Sequence, residues 1–552
     1  MGISKIPRVA ERIDEELTTD YLLPARIVAS AGDITGAERL LEKKPLQIEV
    51  GAKNCAHIGG EGFIVLDFGR EIHGGIKILT HTVGGKCKTR VRFGESVSET
   101  YSEVTGIDFA ATNDHSVRDF EAELVSYSDM EFGQTGFRFA RLDFLSGCSI
   151  EINGIMGAFT HRKLKYGGSF ECSDEKINEI FATAAWTVEL CMQNMLWDGI
   201  KRDRLVWAGD MHPEALSIIS LFGKDKCLEK SIDYMRETTP LPAFMNGMHA
   251  YSLWWLCVVS DYYAHNKDEA FFSRQKEYIS GLVELIDSMV GEDGSLGFPG
   301  YFLDWPSQAF PEFTKAGVYA LCSFAFGKLK TIYSALGLGA EKIDGILHRI
   351  DKSLAGGPLK QVNALKAMGG HLSPGEAADI LLEGGAKGLS TFMSYYILSA
   401  LSEAGKTAEA LGIMKEYYGA MLSRGATSFW EDFNMEWLEG SGRIDELPRP
   451  GQKDIHGDYG DYCYKGFRHS LCHGWSSGPV PYLMRYILGI KEIGLGCETL
   501  EIRPNLCGLE YANGFYPTPH GMVEVGHRMV DGEIKTSVCA PPEIKVTVAN
   551  PL

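Results

Sequence analysis

The chain has 552 residues, 45% hydrophobic and 23% charged, with a formal net charge of −19. This length exceeds one ordinary core and points to two to four domains. No run approaches the ~18 uninterrupted apolar residues of a membrane span. An acidic surface also has the wrong sign for nucleic acid. Both partners are therefore excluded, and a neutral small or oligomeric ligand fits better. The thirteen cysteines form no CxxC pair, which suggests reduced thiols rather than a disulfide framework. The N-terminal residues lack the apolar segment of a secretory signal, so a cytoplasmic location is expected.

Residues 1 to about 45 open with a charged amphipathic piece, Ala10 to Leu17, and continue irregularly. From there the period is two. Leu46–Val50, Gly62–Phe68, Gly75–Val83, Thr89–Phe93 and Phe137–Phe144 alternate and are rich in β-branched and aromatic residues, and Cys148–Phe159 adds one more strand. This pattern predicts an antiparallel β-sandwich over 1–165. At Gly167 the period turns helical, with Ser173 placed to cap the first helix and 3.6-residue spacing from Lys176 to Leu190. Helices are predicted near 175–196, 211–222, 225–237, 250–265, 268–291, 312–336, 340–354, 359–369, 375–386, 390–404, 407–421 and 468–488. Twelve helices in pairs, joined by long loops, suit an (α/α)6 toroid over 166–492. Alternation returns at Thr499–Arg503, Gly521–Gly526, Glu533–Val538 and Ile544–Val548, predicting a C-terminal antiparallel β-domain over 493–552.

Long loops in a compact domain usually carry function, and here they gather acids and aromatics. Trp197 to Asp210 holds Asp198, Asp203, Asp210, Lys201, Arg202, Arg204 and Trp207. Its structural alternative is a helix start laced with ion pairs. Further tryptophans stand at Trp254, Trp255, Trp437 and Trp475, and acid–aromatic pairs recur at Asp304-Trp305 and Trp430-Glu431-Asp432. An indole face matches the C–H face of a pyranose while a neighbouring carboxylate accepts its hydroxyls. Glycoside hydrolysis needs two carboxyl groups across the scissile bond, one giving a proton and one activating water. The densest acids supply one from the Asp198/Asp203/Asp210 cluster and one from Glu431-Asp432. His469 and His473 lack the following Glu of a zinc protease, so no metal is expected, and His473 suits ligand hydroxyls. Ala404-Gly405-Lys406-Thr407 lies between helices and lacks the leading glycine of a phosphate loop, so it reads as a helix end. No cofactor is implied.

The run Arg202 to Asp210 resembles the bacterial α-L-rhamnosidases of glycoside hydrolase family 78, where Asp-Cys-Pro-x-Arg-Asp-Glu-Arg-Leu-Gly-Trp-Thr-Gly-Asp opens an (α/α)6 domain. Val65 to Gly75, Arg92 to Glu95 and Gly136 to Phe139 resemble the β-domain before it. Gly168 to Asp174, Asp304-Trp305, Thr427 to Asp432, Ser470 to His473 and Pro517 to Gly521 resemble later segments. The resemblance implies an exo-acting, inverting glycosidase with Glu431 as base and Asp203 at the acid position. Asp stands there in place of the family's Glu, in a segment one residue shorter. It also implies that Asp198, Arg202, Trp207, Asp210, Trp255, Asp304, Trp305, Trp430, His473 and Trp475 bind the sugar; a homodimer is possible, though the sequence does not fix the oligomeric state. Two other readings stay open: a toroidal lyase or unsaturated-uronyl hydrolase, and a non-catalytic sugar-binding protein.

Overall fold

The computed structural model describes residues 17–45, 47–48, 50–51, 54–84, 87–103, 118–145, 147 and 149–550. Ala10 to Glu16 and Cys148 lie outside them, as do Leu46 and Glu49. Gln47, Ile48 and Val50 form no strand.

The N-terminal region is a seven-stranded antiparallel sheet of β1 (Leu17–Leu22), β2 (Arg26–Thr35), β3 (Ala56–Gly84), β4 (Cys87–Gly94), β5 (Asp119–Leu124), β6 (Ser128–Phe144) and β7 (Ser149–Arg162). Two predicted strands, Gly62–Phe68 and Gly75–Val83, are one long β3 with register shifts between Asp67 and Ile72 and between Gly74 and Ile76. Ala56 and Thr80 both pair with Ile152, so β3 flanks β7 on both edges and the sheet closes on itself. Ile64, Leu66, Ile76, Ile78, Val91, Leu142 and Ile152 fill it. A short helix, α1 (Val97–Tyr101), follows β4.

After β8 (Ser169–Cys172) the chain becomes helical: α2 (Glu175–Cys191), α3 (Met211–Phe222), α4 (Lys226–Thr238), α5 (His249–Asn266), α6 (Glu269–Ser288), α7 (Pro311–Ala335), α8 (Glu341–Arg349), α9 (Lys360–Met368), α10 (Pro374–Leu382), α11 (Ser394–Glu403), α12 (Thr407–Ser423) and α13 (Pro479–Tyr486). The odd-numbered helices pack in a closed succession, α3 on α5, α5 on α7, α7 on α9, α9 on α11, α11 on α13 and α13 back on α3. Burial explains the arrangement. Helix α5 is buried on every side, from Tyr251 through Trp254 and Trp255 to Tyr263, as an inner helix must be. Helix α4 buries only Cys227, Leu228, Ser231, Ile232 and Met235, one stripe of an outer helix.

Two local expectations are corrected. Asp174, not Ser173, caps α2, its carboxylate accepting from the Lys176 N–H at 3.0 Å, while the Ser173 hydroxyl accepts from Glu510. The helix predicted over 468–488 is formed only from Pro479. Before it, the chain makes short 3-10 turns at Gly466–Arg468 and Gly474–Ser477, so His469 and His473 are not stacked on one helix face.

The C-terminal strands are β9 (Ile490–Glu492), β10 (Thr499–Ile502), β11 (Tyr511–Thr518), β12 (Gly521–Val530), β13 (Glu533–Cys539) and β14 (Lys545–Val548). They form two small sheets, β14-β10-β9 and β13-β12-β11-β8. The second is antiparallel throughout, but β10 and β14 run parallel, which corrects the wholly antiparallel expectation. Among the described residues, ten cysteines carry no disulfide and most of them are buried. Cys87 is disulfide-bonded, which corrects the expectation of thiols alone. Among the described residues, no helix is long and apolar enough to cross a membrane.

Candidate active site

Trp197 to Asp210 links α2 to α3 and is folded onto the N-terminal sheet. The Gly136 N–H of β6 donates to the Ile200 carbonyl at 2.7 Å, and Ile200 is buried in the core of that sheet. A Cβ on Gly136 would meet the Lys201 backbone nitrogen at 2.9 Å, so the close approach requires glycine. Lys201 is buried beneath the loop. Its Nζ pairs with Glu99 at 2.9 Å and Glu95 at 3.3 Å and donates to the His469 carbonyl at 2.8 Å. Glu95 accepts from the Leu471 N–H at 2.6 Å and the Ser470 hydroxyl at 3.1 Å, and Arg118 pairs with Glu99 at 2.6 Å. Burial pushes the Glu95 carboxyl up to about 7 against the pull of Lys201. For Glu99 burial acts the same way, but Arg118 and Lys201 outweigh it and hold the group down to about 2. This buried network ties the Lys201 loop to the segment 467–471.

On that support, Arg202 bridges the two predicted acids. Its Nη1 donates to Asp203 Oδ2 at 3.0 Å, Nη2 pairs with Glu431 Oε1, and Nε donates to the Arg468 carbonyl at 2.9 Å. Glu431 Oε2 accepts from the Ser470 N–H at 3.1 Å. Its backbone is pinned as well, because its carbonyl accepts from Thr391 Oγ1 at 2.5 Å and from the Trp475 indole at 2.9 Å. Asp203 and Arg204 have φ of +54° and +53°, a left-handed pair that non-glycine residues seldom adopt. This pair turns the chain sharply within the shortened loop. Asp203 Oδ1 is buried and has no hydrogen-bond partner.

Asp198, Asp210 and His473 complete the cluster. Asp198 Oδ1 accepts from the Leu205 N–H at 2.9 Å, and Asp210 Oδ1 accepts from the Tyr251 hydroxyl at 3.4 Å. His473 Nε2 stands 3.8 Å from Asp198, 3.7 Å from Asp210 and 3.7 Å from Glu431. A hydroxyl seated among these groups reaches several at once. Burial, with the neighbouring Asp210, pushes the Asp198 carboxyl well up; burial, with Glu431, does the same to Asp210. Glu214 on α3 is raised in the same way by burial and Asp210. Burial, with Arg202, drives the His473 ring well below the usual histidine range and keeps it neutral.

The tryptophans divide. Trp207 is half-buried and meets Tyr251 edge-on, with ring centroids 6.1 Å apart. Trp305 is half-buried and stacks on Tyr462 at 6.0 Å. Both leave part of the indole exposed. Trp475 is buried between His473 and Phe392. Trp255 and Trp430 are fully buried, and Trp255 donates to the Ile232 carbonyl on the outer helix α4, so both are packing residues rather than sugar platforms. Asp304 is also spent internally, accepting from the Ser307 N–H at 3.0 Å and the Ser390 hydroxyl at 3.0 Å. Sequence reasoning did not find Glu214, Tyr251, Thr391 or Glu95. A glutamate inside an otherwise apolar inner helix was the one available signal, for Glu214. Glu95 comes from the N-terminal sheet region, and only its place in the Arg92–Glu95 resemblance marks it.

Residues 165–321 match the family model described as bacterial alpha-L-rhamnosidase 6 hairpin glycosidase domain. No curated protein matches the chain in sequence. Among solved structures, a GH78 family rhamnosidase of Bacillus sp. GL1 is 22% identical with a TM-score of 0.75, over 94% of this chain and 55% of that one. A Streptomyces avermitilis α-L-rhamnosidase complexed with L-rhamnose is 17% identical, TM-score 0.71, over 96% of this chain and 50% of that one. A Klebsiella oxytoca rhamnosidase with rhamnose bound is 17% identical, TM-score 0.65, over 85% of this chain and 96% of that one. The chain thus spans about half the length of the first two. Residues 165–321 carry the bacterial α-L-rhamnosidase six-hairpin glycosidase domain, in a chain that shares the fold of the GH78 rhamnosidases.

Proposed function

We propose that this chain is an exo-acting, inverting glycoside hydrolase that releases a terminal α-L-rhamnose or a similar sugar. The observation that carries the reading is the convergence of Asp203 and Glu431, from distant loops, on one guanidinium beside three further buried side chains able to hold sugar hydroxyls. Glu431 takes a proton from water as the water oxygen attacks the anomeric carbon. The glycosidic C–O bond breaks in the same step, and its electron pair leaves on the aglycone oxygen, which Asp203 protonates. Asp198, Asp210 and His473 grip ring hydroxyls, and Trp207 and Trp305 offer apolar faces. The near-complete burial of these polar walls suits one terminal residue rather than a chain running through. The ring of odd-numbered helices is read as the inner layer of an (α/α)6 toroid over 166–492, between β-domains at 1–165 and 493–552. A cytoplasmic location belongs to the same reading; the ten disulfide-free cysteines among the described residues support it, and the Cys87 disulfide counts against it.

A second assignment of the acid is favoured by burial. Asp198 and Asp210 have raised pKa values, as a proton donor requires, so Asp198 rather than Asp203 would protonate the leaving group. Steady-state hydrolysis of aryl α-L-rhamnosides tests both. Asp203→Asn and Glu431→Gln are each expected to lower kcat/KM at least about 100-fold with an unchanged circular dichroism spectrum. Wild-type rates in either variant remove that residue from the mechanism.

A further inference from the structure

Three side chains of metal-ligating type meet where the helical ring joins the C-terminal strands. His265 stands in the last turn of α5, Glu492 at the end of β9, and Cys497 in the loop between β9 and β10. Their ligand atoms all lie within 4.8 Å of one another. Cys497 Sγ is 3.4 Å from His265 Nδ1, and Glu492 Oε1 is 2.5 Å from the same nitrogen. His265 and Cys497 are buried and Glu492 is half-buried. The loop is fastened to the helix end, because the Gly496 N–H donates to the Ala264 carbonyl at 2.6 Å. The Tyr516 hydroxyl of β11 donates to Glu492 Oε1 at 2.7 Å, the kind of support that orients a ligating carboxylate.

One other group among the described residues brings such atoms equally close, Glu95, Glu99 and His456. There a cation is already built in, because Lys201 Nζ pairs with both glutamates and lies 3.3 Å from His456 Nε2. At the second group, His265 is the partner of Glu492, and among the described residues no lysine or arginine pairs with that carboxylate. His265 Nε2 is buried and has no hydrogen-bond partner, so the ring engages its surroundings through Nδ1, on the side of Glu492 and Cys497.

Donor chemistry and charge choose the ion. Thiolate and imidazole favour zinc over magnesium or calcium, and one thiolate, one carboxylate and one neutral imidazole balance a dication. A tetrahedral zinc holds its ligand atoms about 3.5 Å apart, so Sγ and Nδ1 already stand at that spacing and Glu492 has to back away by about 1 Å. Room exists, because Glu492, His265 and Tyr516 line a cavity of about 200 Å³. Its cationic walls, Lys328 and Arg485, are already paired, with Asp261 at 2.7 Å and Glu403 at 3.3 Å.

We propose that His265, Glu492 and Cys497 bind one zinc ion, with a water from that cavity in the fourth position, and that the ion pins the C-terminal strands to the end of α5. On binding, the thiol proton goes to solvent. The ion takes the place of the proton between Nδ1 and Glu492, which moves to Nε2. The site stands apart from the proposed hydrolysis. Tyr251, which donates to Asp210, lies fourteen residues before His265 on the same helix, roughly 21 Å along its axis.

The test strips the purified full chain with EDTA, removes the chelator, and titrates Co²⁺ and then Zn²⁺ into wild type, Cys497→Ser and Glu492→Gln. Wild type is expected to take up one equivalent of Co²⁺, with a thiolate-to-cobalt charge-transfer band and the strong visible absorption of a four-coordinate ion. One equivalent of Zn²⁺, the tighter binder, abolishes both. Cys497→Ser loses the charge-transfer band and binds zinc at least about 100-fold more weakly, and Glu492→Gln about tenfold more weakly. Wild type without that band, or a band that persists in Cys497→Ser, overturns the proposal. If one variant does not fold by circular dichroism, the other variant and the wild-type band decide. Zinc also raises the Tm of stripped wild type and not that of Cys497→Ser, and a wild-type Tm indifferent to zinc overturns the pinning. None of these readouts depends on hydrolysis, so they stand even where the glycosidase reading fails.

Discussion

Arg202 holds one oxygen of Asp203 and one of Glu431, so a single planar fork sets the spacing of the two carboxyls. Lysine carries the same charge on one point donor and cannot bridge them. Arg202→Lys is therefore expected to lower kcat about 100-fold, a loss of the size that a misplacement of about 1 Å produces, with the fold unchanged by circular dichroism. The choice between Asp203 and Asp198 as proton donor is open to leaving-group chemistry. Replacing a general acid hurts glycosides of weakly acidic phenols and spares those of strongly acidic ones, because the latter depart without a proton. Comparing 4-methoxyphenyl with 2,4-dinitrophenyl rhamnosides in Asp203→Asn and Asp198→Asn identifies the donor as the variant that recovers on the second substrate. Residue types and density marked this cluster in the sequence, but burial could not be read there. Trp255 and Trp430 resemble Trp207 and Trp305 in composition, and only packing separates them.

At the scale of elements, the candidate site is held by two loops and by the residue that follows β4, far from both in sequence. This residue, Glu95, fixes Ser470 and Leu471 and meets Lys201. Through them it positions the Ser470 N–H that Glu431 accepts. We expect Glu95→Gln to lower kcat about tenfold with KM within about twofold, and to shift the pH–rate profile, because the environment of Glu431 changes. A merely structural role would lower Tm and leave that profile in place. Helix periodicity located all twelve helices between Glu175 and Tyr486. It overextended the last one, because Arg468 to Ser477 makes 3-10 turns around the site in place of helix. Strands β2 and β11 were missed because glycine and proline interrupt their alternation, and β5, which does alternate, because all its polar positions are acidic, a residue type depleted in strands.

At the scale of the molecule, buried acids make stability depend on pH. Burial raises the Asp432 carboxyl to about 7, above the ~3.9 of an unfolded aspartate. Between those values the folded state keeps a proton that the unfolded state has released, so stability falls as pH rises through the window. Asparagine does not titrate. Asp432→Asn should therefore melt above wild type at pH 8 and close to it at pH 4, as scanning calorimetry can check. The three-part order of β, α and β was legible from the change of period. That β8 joins β11 in the C-terminal sheet, and that the N-terminal sheet seats Ile200 in its core, depend on long-range pairing that no local pattern records.

The central claim is that Asp203 and Glu431 act across one glycosidic bond in a single displacement, and proton NMR of the first product from an aryl α-L-rhamnoside tests it most directly. The account predicts that β-rhamnose appears first and mutarotates to the α anomer afterwards. Release of α-rhamnose first, or no release at all, would contradict it.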